Sequence, residues 1–207
     1  MEIIPVTYAK STLPESMIFP FGEKNKSRDI AFKVFLIKEN EKLILVDAGC
    51  ETMPGFDMVD FIGPVTALKS IGISPKEITD VIITHAHHDH IECVKYFENA
   101  VIHIQKDEYK YGKTYIPSKF NLNLFDNEFY ITKNVKVINI GGHSIGSCIV
   151  EIYKDKKIYV VSGDECYLRE NLTQKIPTGS SFNKQKSEQF ILKYSDAKYE
   201  VLLCHDN

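Results

Sequence analysis

The segment 85–90 reads HAHHDH and concentrates side chains that bind metal ions. In an extended or loop segment, residues i and i+2 project the same way, so His85 and His87 can bind one ion. Asp89 and His90 follow at a predicted turn into a helix and can face a second ion. Zinc takes about four nitrogen or oxygen ligands, so neither pair completes a coordination shell by itself. The sequence must therefore supply further ligands from elsewhere in the chain.

Three later segments offer those ligands: GGHS at 141–144, SGD at 162–164 and CHD at 204–206. Each follows an apolar run that is typical of a strand, so each can converge on one end of a sheet. The predicted first metal site contains His85, His87 and His143, the predicted second contains Asp89, His90 and His205, and Asp164 bridges the two.

This arrangement predicts hydrolysis. Two divalent ions carry a charge of about +4, and two carboxylates with a bridging hydroxide carry about −3, so a net positive charge remains where an oxyanion would develop. The hydroxide between the ions would be a nucleophile that is already available near neutral pH. Histidine and carboxylate ligands favour zinc as the metal, and they also suit iron, manganese or cobalt.

Alternating strands and helices are predicted to position these residues, in an α/β layered fold. Apolar runs predict strands at 30–37, 42–49, 81–84, 100–105, 135–140, 147–153, 157–164 and 200–204. Helices are predicted at 59–72, with a break or start near Pro64, from the capping serine Ser74 onward, and at 91–97, 107–112 and 183–197. The charged segment 23–29 is expected to be a loop, and the aromatic stretch 113–130 is not assigned.

Composition sets limits on the class of protein. With 207 residues, 43% of them hydrophobic, the chain is expected to be a single domain over 1–207. The net charge of −3 argues against a nucleic-acid or membrane partner, so a small-molecule substrate is expected. No apolar run has the length of a membrane span and no signal peptide is evident. Five scattered cysteines favour a reducing cytoplasm, while the oligomeric state stays open.

The motifs together resemble the metallo-β-lactamase superfamily, whose signature is HxHxDH followed by a separate histidine, aspartate and histidine. The likeness also includes VDAG at 46–49 and SGDE at 162–165. It implies a four-layer αββα sandwich with two mixed sheets flanked by helices, and metals at one edge between the sheets. It further implies that Asp47 supports the site by holding a ligand or a loop.

Within that superfamily, the chain is most similar to the N-acyl homoserine lactone lactonases. Those enzymes have a tyrosine three residues after the bridging aspartate, and Tyr167 stands at that position here. The tyrosine hydroxyl could donate a hydrogen bond to the substrate carbonyl or to the leaving alkoxide. Lactonases usually carry GHxPGH, whereas residues 142–147 read GHSIGS. The segment between Asp47 and Asp57 is also short for a full lactone-binding lid.

The resemblance favours hydrolysis of an ester-like bond, most of all a lactone, with catalytic roles for Asp89, Asp164 and Tyr167. A thioester hydrolase of the glyoxalase II type is the first alternative, although the chain ends two residues after His205 and leaves no room for a basic glutathione patch. A di-iron or mono-iron redox enzyme and a non-catalytic metal sensor are the others. A nuclease and a β-lactamase fit the sequence poorly. His88 is expected to point away from the metals, and His103 to be an ordinary core or surface histidine.

Overall fold

The computed structural model describes residues 1–207 and divides into two compact units. The first unit comprises residues 1–11 and 31–125, and the second comprises 12–30 and 126–207. Each of them carries predicted metal ligands, so the units are described in turn.

A six-stranded mixed sheet forms the frame of the first unit, with the strand order β1-β2-β3-β4-β5-β6. Strands β2 and β3 pair antiparallel, and β3 to β6 run parallel. Because parallel strands end at the same edge, Asp47 after β3 and the segment from Thr84 after β4 lie at one edge of the sheet. The strands are β1 (Glu2–Pro14), β2 (Ser27–Glu39), β3 (Lys42–Val46), β4 (Asp80–Ile83), β5 (Val101–Gln105) and β6 (Asn121–Phe125).

A five-stranded sheet forms the second unit, with the order β11-β10-β9-β8-β7. Strands β10 and β11 are parallel, and the other neighbours are antiparallel. This pattern gives β8, β10 and β11 one direction, so His143, Asp164 and His205 follow strands that end at the same edge. The strands are β7 (Glu128–Thr132), β8 (Val135–Asn139), β9 (Cys148–Lys154), β10 (Lys157–Val161) and β11 (Tyr199–Leu202).

The helices are short, apart from the last one. They are α1 (Glu15–Ile18), α2 (Pro64–Ser70), α3 (His88–Ile91), α4 (Lys106–Gly112), α5 (Arg169–Gln174) and α6 (Lys184–Tyr194). Single 3₁₀ turns occur at Pro75–Glu77, Glu92–Tyr96 and Gly163–Glu165. Helix α6 buries Phe190, Ile191 and Tyr194 against the sheet of the second unit, as its sequence pattern predicts. No helix is both long and apolar enough to pass through a bilayer.

Several local predictions need correction. Helix α2 begins at Pro64, which confirms the alternative that the helix starts there, and residues 59–63 precede it with Val59 paired to Lys10. The segment 23–29 is a loop only in part, since β2 begins at Ser27. The strand predicted at 157–164 is shorter than expected, because β10 ends at Val161. The Ser74 capping box is present but starts only one 3₁₀ turn. Strand β1 and helix α5 were not predicted, and the unassigned stretch contains β6 and most of β7.

Candidate metal centre

His85 and His87 lie side by side in the first unit. Nε2 of His85 is 2.9 Å from Nδ1 of His87, although His85 is buried and His87 is exposed. The backbone between the two histidines is fixed by a side chain from another part of the unit, since the Ala86 amide donates to the buried Glu108 carboxylate at 2.8 Å. Two imidazole nitrogens this close together are well placed to share one cation.

Asp47 holds three groups of the same unit. Its carboxylate accepts hydrogen bonds from the amide of Thr84 (2.8 Å), the hydroxyl of Thr84 (2.9 Å) and Nδ1 of His90 (2.8 Å). Because the Thr84 hydroxyl gives its proton to Asp47, Nδ1 of His85 at 3.1 Å must donate to that hydroxyl. Both histidines then keep the lone pair on Nε2, which is the tautomer that binds a metal. These hydrogen bonds give a physical basis for the predicted role of Asp47, which is to hold His90 and the Thr84 segment in place.

Asp89 and His90 occupy helix α3, which begins in the middle of the motif. Nε2 of His90 lies 3.5 Å from Oδ2 of Asp89, and the rings of His85 and His90 are 4.1 Å apart between centroids. Nδ1 of His88 is instead 3.1 Å from the hydroxyl of Tyr115. The four ligands that the motif predicts are therefore neighbours in the first unit.

In the second unit, Asp164 lies between two histidines. Its Oδ1 is 3.1 Å from Nε2 of His205, and its Oδ2 is 3.6 Å from Nε2 of His143. Nδ1 of His143 donates to the carbonyl of Ser180 at 2.8 Å, which leaves the lone pair on Nε2 available to a metal ion. All three predicted ligands of this unit are buried and adjacent.

Tyr167 is buried and packs against the same two histidines. Its ring centroid is 6.0 Å from that of His143 and 5.5 Å from that of His205. Asp206, the residue after His205, accepts a hydrogen bond from the Arg169 amide at 3.3 Å.

Comparison with protein families agrees with this geometry. The family model described as the metallo-β-lactamase superfamily matches residues 33–205. The chain belongs to the metallo-β-lactamase superfamily. The two mixed sheets with flanking helices are the fold of this superfamily, as predicted.

The chain is similar to two proteins in sequence and to one solved structure in fold. A probable metallo-hydrolase of Methanocaldococcus jannaschii is 31% identical over 72% of this chain and 66% of its own length. An N-acyl homoserine lactonase of Bacillus cereus is 29% identical over 55% of this chain and 48% of its own length. The matches thus span about half to two thirds of these relatives. A crystal structure of a mutant of Bacillus thuringiensis AiiA, with N-decanoyl-L-homoserine at its active site, shares the fold. It has a TM-score of 0.85 and 21% identity, over 99% of this chain and 92% of that one.

Glu165 follows Asp164 directly, and no role is predicted for it from the sequence. It is fully buried, and its Oε1 accepts hydrogen bonds from the amides of Gly142 (3.0 Å) and His143 (3.1 Å) and from the Ser147 hydroxyl. Burial raises the pKa of Glu165 to about 7, although these three donors oppose the shift. The acidic residue at the end of the SGDE segment is a sequence signal from which a role for Glu165 could have been predicted. No such signal exists for the Ser180 carbonyl, because a backbone group carries no sequence signature.

The donors in both units suit a metal of the kind that metallo-β-lactamase proteins use. They are imidazole nitrogens and carboxylate oxygens, with tautomers set by Asp47 in the first unit and by Ser180 in the second. The first unit supplies His85, His87, Asp89 and His90, and the second supplies His143, Asp164 and His205.

Proposed function

We propose that the protein is a metal-dependent hydrolase that opens the ring of a lactone with an acyl homoserine lactone-like structure. The observation that carries this proposal is the Asp164 carboxylate, which has an imidazole nitrogen within 4 Å of each of its two oxygens. This is the arrangement expected of a carboxylate that bridges two cations. Membership of the metallo-β-lactamase superfamily and similarity to a Bacillus cereus lactonase support it.

The seven ligands are assigned to two divalent ions, with zinc as the preferred metal and iron or manganese as other candidates. When bound, such ions polarise a carbonyl group and lower the pKa of coordinated water to about 7. His85, His87 and His143 would hold the first ion, Asp89, His90 and His205 would hold the second, and Asp164 would contribute to both.

The chain's own groups complete the reaction. The Tyr167 hydroxyl donates a hydrogen bond to the lactone carbonyl oxygen as negative charge develops on it. A water molecule adds its oxygen to the lactone carbonyl carbon and gives one proton to the carboxylate of Asp89 or Asp164. The bond between the acyl carbon and the ring oxygen then breaks, and the same carboxylate passes that proton to the leaving alkoxide. The product is the open-chain hydroxy acid. Burial of Asp164 and Tyr167 limits the access of bulk water to the reacting bond.

Five free, buried cysteines support the further proposal that the protein works in a reducing cytoplasm. Small molecules, rather than nucleic acids or membranes, are the proposed partners, in keeping with the net charge of −3.

The decisive experiment is metal analysis of protein purified without added metal, followed by assays of acyl lactones and thioesters on the same sample. We expect about two ions per chain, and lactone opening that a chelator abolishes and added metal restores. His143→Ala should lose metal and activity. His103→Ala is the matched control, because His103 is also buried but pairs with Asp80 and Asn123.

Each alternative function predicts a different result in the same assays. Turnover of thioesters alone would indicate the glyoxalase II type, and one iron with oxygen consumption would indicate a dioxygenase. Tight metal binding without turnover would indicate a sensor. A protein that binds no metal would refute the proposal as a whole.

A further inference from the structure

The turn that carries His143 is tied to one buried oxygen atom. Oε1 of Glu165 accepts from the amides of Gly142 and His143 and from the hydroxyl of Ser147, all within 3.1 Å. Ser147 also accepts from the Ser144 amide at 3.1 Å. Both ends of the segment 142–147 are therefore attached to the same carboxylate.

The second oxygen of Glu165 faces a confined space. A Cβ on Gly142 would lie 2.3 Å from Oε2 of Glu165 and 2.7 Å from Oγ of Ser187, so only glycine fits there. Neither Oε2 nor the Ser187 hydroxyl has a hydrogen-bond partner. The position of the carboxylate is thus determined by the three donors on Oε1 and by close packing against Gly142.

We propose that Glu165 is a positioning residue that sets the His143 imidazole for metal binding. The proposal rests on the assignment of His143 as a ligand under the proposed function. Oε1 accepts from three donors, and Oε2 faces Gly142 in a confined space outside the clusters of candidate ligands, so Glu165 acts through the turn and not as a ligand itself. Together with the Ser180 carbonyl on Nδ1, it defines where Nε2 of His143 lies.

Two substitutions separate position from charge. Glu165→Gln keeps an oxygen at Oε1 and places an amide N–H group on the side of the Ser187 hydroxyl, so position is kept and charge is lost. Glu165→Asp keeps the charge but is shorter by one methylene, so its carboxylate cannot reach all three donors. Positioning predicts that the Gln variant behaves like the wild type and that the Asp variant does not.

The measurement is a Co²⁺ titration of the whole metal-free protein, followed by the visible absorption of Co²⁺ and by competition with a chelator. We expect Glu165→Asp to weaken one of the two Co²⁺ equivalents by about 10- to 100-fold, the usual effect of losing a residue that orients a ligand. The other equivalent should change by less than about 3-fold, and the absorption spectrum of the weakened site should change. Glu165→Gln should stay within about 3-fold at both sites.

Glu151→Gln is the matched control. Glu151 is a buried carboxylate of the same unit that accepts from the hydroxyls of Tyr194 (2.8 Å) and Tyr153 (2.6 Å). Its substitution should lower the melting temperature and leave both Co²⁺ equivalents unchanged.

The inference would be overturned if Glu165→Asp bound Co²⁺ as tightly as the wild type. It would also be overturned if Glu165→Gln bound Co²⁺ as weakly as Glu165→Asp, since the charge of Glu165, and not its position, would then determine the affinity. A wild-type protein that binds Co²⁺ but opens no lactone would remove the proposed substrate and leave this inference standing. A wild-type protein that binds no Co²⁺ would overturn both.

Discussion

Replacing Asp47 with asparagine tests whether that carboxylate sets the ring of His90. The carboxylate accepts from the Thr84 amide (2.8 Å), the Thr84 hydroxyl (2.9 Å) and Nδ1 of His90 (2.8 Å). An amide of the same shape has one oxygen instead of two. In Asp47→Asn, at least one of these buried donors must therefore face an N–H group.

Either orientation of the new amide has a cost. If its oxygen stays with the Thr84 amide, its NH₂ group faces Nδ1 of His90, and the ring must move its proton to Nε2, where the metal would bind. If the amide turns over, the buried Thr84 N–H loses its acceptor, which costs about 1–3 kcal/mol. Loss of the partner of a ligating histidine lowers metal affinity by about 10- to 100-fold, or about 1.4–2.7 kcal/mol. Because the two orientations exclude each other, we expect the loss of metal affinity in the first orientation and the loss of folding stability in the second.

The assay pairs chelator competition for Co²⁺ with urea unfolding of the metal-free protein. Asp80→Asn is the control, because Asp80 is a buried aspartate of the first unit that pairs with a histidine outside the candidate ligands, at 2.9 Å from Nε2 of His103. It should lose stability without losing metal affinity. The reasoning fails if folded Asp47→Asn matches the wild type in both Co²⁺ affinity and folding stability, or if Asp80→Asn weakens Co²⁺ binding.

Three further predictions follow from single side chains. Burial alone would raise the pKa of Asp80, but hydrogen bonds from His103, Lys42 and Thr79 outweigh it and lower the pKa from 3.8 to about 2. Because the folded-state pKa lies below the unfolded one, Asp80 contributes about 2 kcal/mol at neutral pH. This contribution should disappear between about pH 4 and pH 2 in acid unfolding of the wild type, and Asp80→Asn should lack that step. Ile191→Ala should lower the free energy of unfolding by about 2–5 kcal/mol in urea titrations, because Ile191 is fully buried in the core of the second unit. Tyr167→Phe should lower kcat on a lactone by about 100-fold with metal content unchanged, and an unchanged kcat would exclude the role of its hydroxyl.

Local patterns were sufficient for much of the fold. Continuous apolar runs such as VIIT at 81–84 indicate buried strands, and the face of α6 with Phe190, Ile191 and Tyr194 follows from helical spacing. Patterns failed where burial is mixed or the element is short. Strand β6 has only Phe125 buried, and α5 has six residues. For such segments, tertiary packing decides the structure more than local preference does.

The types of the predicted ligands and their order along the chain follow from the sequence alone, because metal chemistry requires particular side chains and HxHxDH groups four of them within six residues. What surrounds those ligands was decided only by the tertiary structure. Asp47 meets His90 43 positions away, Glu165 meets His143 22 positions away, and the Ser180 carbonyl meets His143 across 37 positions. A hydrogen bond depends on the positions of two atoms in space, and residues this far apart are brought together by the sheets and turns between them, not by any local spacing.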